Sequence, residues 1–370
     1  MNLRIPGPIP VPEDILEAMA TPMMNHRGPE FKDLLYRVTA RIKQVFETES
    51  DVYILTASGT GAMEAAVVNT LSPGDKVLNT SIGFFGDRFG DIARTFGADV
   101  TDLSFPWGSA VDIDDLRKSL DNEPDIEAVL VTHNETSTGV TNDLEAIAGV
   151  VKGEFDKLLL VDGISSVCSL PLRTDAWGCD VVATASQKGW MLPPGLAFIS
   201  FSQRAWEAHA RATMPRYYLD MSKFQSYYEK GQPPYTPALS VYFALDVAMD
   251  KIVAEGIGGL LERHASIARM TREGIKGLGL SIFPDERVAS DTVTAVSVPA
   301  GIDAKRLLAM VREEHGVVLG GGQGPVDGKI FRIGHMGWTT PEDIQGVLDA
   351  LAAALPAVGF SAPGAVGSTR

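Results

Sequence analysis

Between residues 51 and 202, short apolar runs rich in β-branched side chains alternate with stretches whose apolar positions recur every three to four residues. The runs at 52–56, 76–79, 126–131, 157–161, 181–183 and 196–200 read as strands. Several are apolar throughout, which a strand requires only when both faces are covered, so the pattern predicts a mostly parallel sheet flanked by helices. After Pro237 the period turns helical through 255 and again over 260–278. Strands near 292–298 and 329–333 follow, with a helix over 304–315 between them and a closing helix after Pro341. That second block reads as a smaller α+β unit hinged on a long helix.

Composition narrows the possible functions. A chain of 370 residues with 45 % hydrophobic content can bury a large core. A formal net charge of −15 repels a phosphate backbone, and no run of Lys and Arg interleaves with aromatics, so nucleic acid is excluded as a partner. No stretch approaches a membrane span of about 20 apolar residues and the start lacks a secretory h-region, so a soluble cytosolic protein is expected. Cys168 and Cys179 form no CxxC pair and the six histidines share no metal-binding spacing, so neither a disulfide framework nor a metal site is expected. The Gly/Ala/Ser/Pro-rich tail, 361–370, is expected to fray.

Open α/β sheets bind ligands at the carboxyl ends of their strands, and four positions stand out on that criterion. After the first strand, Ser58-Gly59-Thr60-Gly61 opens an Ala-rich helix, where free amides, the helix dipole and two hydroxyls suit a phosphate; a capped helix start without ligand gives the same pattern. Asp162 follows an apolar run and must be hydrogen-bonded or paired, either to a ligand or as a loop cap. Lys188 lies among small and apolar residues between two strands, beside Gly189 and Pro193-Pro194-Gly195. Desolvation there makes an amine nucleophilic towards aldehydes, whereas a lysine snorkelling to solvent is the plainer alternative. Arg332, inside an apolar strand, needs a carboxylate, from substrate or from an internal salt bridge. Together these match the needs of pyridoxal 5′-phosphate (PLP): a phosphate cradle, an acid for the ring nitrogen, an amine for the aldehyde, and a cation for an amino-acid substrate.

From Pro6-Gly7-Pro8 to about residue 355 the sequence resembles the fold type I, class V PLP-dependent aminotransferases, most of all the alanine–glyoxylate and serine–glyoxylate (or serine–pyruvate) group. The resemblance rests on Ser58-Gly59-Thr60-Gly61, Gly83-Phe84-Phe85-Gly86-Asp87-Arg88, Thr132-His133-Asn134-Glu135-Thr136-Ser137-Thr138-Gly139, Leu159-Leu160-Val161-Asp162, Ser186-Gln187-Lys188 and Arg332-Ile333-Gly334. It implies an α/β fold with a seven-stranded sheet in a large domain (16–255) and a small α+β domain (256–360), with residues 1–15 packing on the active-site region. It also implies that Ser58, Gly59, Thr60 and Gln187 hold the phosphate, Phe85 stacks on the ring, and Thr136 bonds near the ring oxygen. Asp162 then holds the ring nitrogen, Lys188 forms the Schiff base, and Arg332 takes the substrate carboxylate. Such enzymes are homodimers in which the partner completes the phosphate cup. Thr236 stands at that position here, although relatives often carry Tyr where this chain has Pro233, so a substituting role for neighbouring Tyr235 stays open; Phe85 stands where some carry Trp.

The expected reaction is transamination between a small L-amino acid, alanine or serine, and glyoxylate or pyruvate. Aspartate, ureidoglycine and aminoethylphosphonate transaminases share these motifs. A cysteine desulfurase would carry His before the lysine and a C-terminal cysteine, whereas Gln187 stands there and no cysteine follows Cys179. A non-catalytic protein of this fold would not need Lys188, Asp162 and Arg332 together. An NAD-dependent oxidoreductase would need GxGxxG after the first strand.

Overall fold

In the computed structural model, which describes residues 1–361, the apolar runs of the first half assemble into one sheet. Of the tail 361–370, all but Ser361 lies outside the described residues. In chain order the strands are β1 (Asn2–Arg4), β2 (Asp51–Leu55), β3 (Lys76–Ser81), β4 (Asp99–Ser104), β5 (Ala128–Thr132), β6 (Asn134–Glu135) and β7 (Val140–Thr141). They continue with β8 (Leu158–Asp162), β9 (Val181–Ala185), β10 (Ala197–Phe201), β11 (Ser281–Ile282), β12 (Val293–Ser297), β13 (Val317–Gly321) and β14 (Ile330–Gly334). The main sheet has the order β2-β10-β9-β8-β5-β3-β4 and is parallel except for β10, which runs against both neighbours.

Strands β5, β8, β9 and β10 are buried at every position, as their unbroken apolar runs require. Successive residues serve opposite faces. Val129, Val131, Leu159, Val161 and Val182 pack in one core with the Pro29–Phe46 helix, whereas Ala128, Leu130, Leu158, Leu160 and Ala183 join Met63, Ala66 and Val67 of the Gly59–Thr70 helix on the other. Strand β4, which the apolar pattern did not reveal, is an edge strand whose Asp99, Thr101 and Asp102 face solvent.

The second sheet, β1-β13-β14-β12-β11, belongs to the C-terminal block, with β1 joining it from the other end of the chain by parallel pairing to β13. Arg4 is buried there, donating to Thr339 Oγ1 at 2.7 Å and pairing with Asp343 at 2.8 Å. The helical stretch Leu239–Gly277 is broken at Gly256, whose φ of 73° and ψ of 156° only glycine adopts readily, in the gap between the two helical patterns of the sequence. Among the described residues no helix is long and apolar enough to cross a membrane.

Candidate active site

Register places Thr132 of β5 beside Asp162 of β8, and Asp162 beside Ala183 of β9, so β5 and β8 end together and β9 runs two residues further. Three residues past β9, Lys188 rides a loop pinched shut by Ser186, whose hydroxyl donates to Pro193 O at 2.7 Å and accepts from Leu196 N–H at 3.2 Å. A cavity of about 210 Å³ opens over these ends, lined by Ser58, Gly59, Thr60, Phe85, Thr136, Asp162, Gln187 and Lys188. Gly7, Pro8, Arg88, Asn134, Ile164, Ser165 and Pro194 complete the wall.

The side chain of Lys188 turns inward, its Nζ donating to Pro6 O at 2.5 Å. Burial pushes this amine down to about 8; Asp162 pulls it back up and Arg332 lowers it further. Gly7 has φ 143°, and a Cβ there would stand 2.5 Å from Lys188 Nζ, so both the backbone conformation and the space beside the amine demand glycine. Asp162 is buried and accepts from Ile164 N–H at 2.9 Å. Burial pushes its carboxyl up to about 7 against that hydrogen bond; Glu135 adds to the rise, while Lys188 and Arg88 oppose it. An amine and a carboxyl titrating near neutrality thus share one cavity, the arrangement that proton-transfer chemistry needs.

At the opposite side, the Gly59–Thr70 helix points its amino end at the cavity, and Ser58 at its cap makes no side-chain cap bond. Its hydroxyl is therefore free for a ligand. A Cβ on Gly59 would come within 2.6 Å of Ile164 Cδ1, so the backbone lies against the wall where only glycine fits. Gln187 Oε1 is buried without a partner. Free amides and a hydroxyl suit a phosphate, Gln187 adds donors once its amide is flipped to present the NH₂ in place of the unpartnered oxygen, and the donor set as a whole fits PLP.

Glu135, which the sequence reading quoted but gave no role, is fully buried and organises the rest. Its Oε2 accepts from Phe85 N–H at 2.9 Å and Gly86 N–H at 3.0 Å, filling the amino end of the Phe84–Thr95 helix. Its Oε1 accepts from Ser137 N–H at 3.0 Å and from the Ser137 hydroxyl at 2.6 Å. A carboxylate three residues after Thr132 was visible in sequence; partners fifty residues away were not. Next to it, Thr136 O accepts from Arg332 Nη1 at 3.0 Å, and Gly321 O accepts from Arg332 Nε at 2.8 Å. Arg332 is buried, and among the described residues no carboxylate reaches ion-pair distance, so the internal salt bridge weighed for it is not formed. Burial pushes its guanidinium down to about 10.

Thr236 does not line the cavity. It is exposed in a separate groove, where Tyr235 donates to Tyr217 O at 2.8 Å and stacks on Tyr218 at 4.9 Å. Cys168 and Cys179 are buried free thiols that burial pushes up to about 12, which leaves them unreactive.

The chain matches the family model for class-V aminotransferases over residues 15–345. It is 42 % identical to the soluble hydrogenase small subunit of Synechococcus sp. (strain PCC 6716), over 98 % of this chain and 95 % of that one. It is 39 % identical to the L-aspartate–glyoxylate aminotransferase of Paracoccus denitrificans (strain Pd 1222), over 91 % and 86 % respectively. Among solved structures, the alanine–glyoxylate aminotransferase of Nostoc sp. superposes with a TM-score of 0.92 at 33 % identity, covering 96 % of this chain and 95 % of that one. Family membership implies PLP as the cofactor, which the donor set of the cavity fits independently. By the reach of the family model and by the relatives aligned end to end, this chain belongs to the class V aminotransferases.

Proposed function

We propose that the protein moves the amino group of a small L-amino acid, alanine or serine, to glyoxylate or pyruvate, with PLP held on Lys188. The observation that carries this reading is the pairing, in one cavity, of a desolvated amine at about 8 with a desolvated carboxyl at about 7. When bound, PLP supplies the electron sink that lets a proton leave the substrate α-carbon. Lys188 anchors the cofactor and then, as the free amine, carries that proton. Asp162 keeps the ring nitrogen protonated, Phe85 stacks on the ring, and Thr136 bonds near the ring oxygen. Ser58, Gly59, Thr60 and Gln187 hold the phosphate. Arg332 still has guanidinium N–H groups beyond the two that bond Gly321 O and Thr136 O, and these take the substrate carboxylate.

Glyoxylate appears as acceptor in the names of both the Paracoccus and the Nostoc relatives, which supports the acceptor half. The Paracoccus name also favours a second reading in which aspartate is the donor. The hydrogenase name of the Synechococcus relative adds nothing, because the amine and acid of the cavity, with Arg332 close enough to act on the amine, serve amino-group chemistry. The exposed Thr236 suits a homodimer in which it completes the phosphate cup of a second copy, and the two free thiols suit the reducing cytoplasm. A donor–acceptor matrix tests the whole: L-alanine, L-serine and L-aspartate against glyoxylate, pyruvate and 2-oxoglutarate. Activity is expected with alanine or serine and glyoxylate or pyruvate. Activity confined to aspartate establishes the second reading, and inactivity of every pair in protein that binds PLP refutes transamination.

A further inference from the structure

Two helices aim their amino ends at the cavity, and only one can accept a ligand anion. That of Phe84–Thr95 is already filled by the Glu135 carboxylate on Phe85 N–H and Gly86 N–H. An anion must therefore sit at the Gly59–Thr70 helix, where Ser58, Gly59, Thr60 and Gln187 carry no formal charge. A phosphate bears close to two negative charges at neutral pH. In a chain of net charge −15, hydroxyls, amides and half a unit of helix dipole leave most of that charge unmatched.

One side chain at that end of the cavity can match it. Arg88 lines the cavity, and its Nη1 donates to Thr60 Oγ1 at 3.5 Å. Among the described residues no carboxylate lies within ion-pair distance of it, since neighbouring Asp87 accepts from Ser81 instead. Its guanidinium rests 5.0 Å from the Phe85 ring centroid and 5.1 Å from that of Phe84, within the range of cation–π attraction. It acts electrostatically on Asp162, whereas Arg332 acts on Lys188, so the two arginines are felt by different groups of the site.

We infer that Arg88 is the cationic member of the phosphate cup, binding the phosphate dianion of the cofactor together with Thr60. This rests on the PLP reading of the cavity. Its test separates the phosphate from the rest of the cofactor: full-length protein stripped of cofactor is titrated with PLP and with pyridoxal, which lacks the phosphate, in wild type, Arg88→Gln and Arg88→Met. Met keeps an apolar stem over Phe85, so it isolates the charge. Both variants should bind PLP about 10–100-fold more weakly, as loss of a charged hydrogen-bond partner does, with pyridoxal affinity unchanged. Inorganic phosphate should raise the melting temperature of the stripped wild type more than that of either variant. Equal weakening of PLP and pyridoxal would make Arg88 a packing residue for Phe85. No change in either, or a change confined to the KM for aspartate, would likewise overturn the assignment. Failure of wild type to bind PLP or pyridoxal at all would instead overturn the cofactor reading beneath it.

Discussion

Replacing Glu135 by Gln changes one heavy atom and should cost more than most surface substitutions. All four contacts to this carboxylate come from donors: the amides of Phe85, Gly86 and Ser137 and the Ser137 hydroxyl. The ionised form is therefore the one that fits, although burial pushes the carboxyl up. A Gln side chain keeps one accepting oxygen and presents an NH₂ on the other side, so whichever way it sits at least one buried backbone N–H loses its acceptor. That orphan costs about 1–3 kcal/mol. Losing the negative charge at the amino end of the Phe84–Thr95 helix adds about 0.3–1 kcal/mol. Urea unfolding of cofactor-stripped wild type and Glu135→Gln should show the combined loss of about 1.3–4 kcal/mol with an unchanged slope. Because the carboxylate holds the backbone at Phe85, directly through Phe85 N–H and indirectly through Ser137, which accepts from Phe84 N–H, PLP and pyridoxal should weaken together, unlike the outcome expected at Arg88. A loss below about 0.5 kcal/mol, within the range of an ordinary surface change, would refute the claim that this carboxylate holds the site together.

Three further outcomes follow from the same geometry. Lys188 titrates at about 8 in the fold against 10.5 in water, so between those values the unfolded chain binds more protons and the stability of the stripped protein rises with pH. The rate of pyridoxal attachment, followed by stopped-flow absorbance, should climb to a plateau with a midpoint near 8; a midpoint near 10.5 would mean the amine is not desolvated. Arg332→Lys replaces a planar fork by a point charge and should raise KM for both amino acid and keto acid by about 10–100-fold in steady-state assays, with PLP affinity retained. Unchanged KM would remove Arg332 from the substrate site. Gly59→Ala puts a carbon 2.6 Å from Ile164 Cδ1 and 3.1 Å from Ala185 Cβ, an overpacking of about 1–3 kcal/mol that thermal unfolding should register. An unchanged melting temperature would show that the helix start can back away from the wall.

What the chain reveals about itself is uneven, and the reason is range. The helix Ala304–His315 was legible to the residue because its stops are local: Asp303 accepts from Lys305 N–H and Arg306 N–H at one end, and Gly316 takes φ 66° at the other. The buried strands were legible because burial on both faces demands continuous apolar runs. Strand β4 was not, since an edge strand with solvent-facing Asp99 and Asp102 carries no such run. Strand β13 was also missed, its short apolar run dissolving into glycines. At the site, the amine, acid and hydroxyl turn announced themselves by sitting oddly in apolar surroundings. The contacts that tune them did not. The Pro6 carbonyl on Lys188, the Glu135 clamp on Phe85 and the Thr136 carbonyl on Arg332 join residues dozens to nearly two hundred positions apart, and no spacing rule reaches that far.

The pairing of Asn2–Arg4 with Val317–Gly321 imposes an order of assembly. Residues 2–4 have no docking place until β13 has been made, and Pro6, which steadies the amine of Lys188, waits with them. The sheet around Lys188 can close early, yet its amine is clasped only when β1 and β13, far apart in the chain, meet. A nascent or truncated chain lacking that meeting would own the lysine without the setting that makes it reactive.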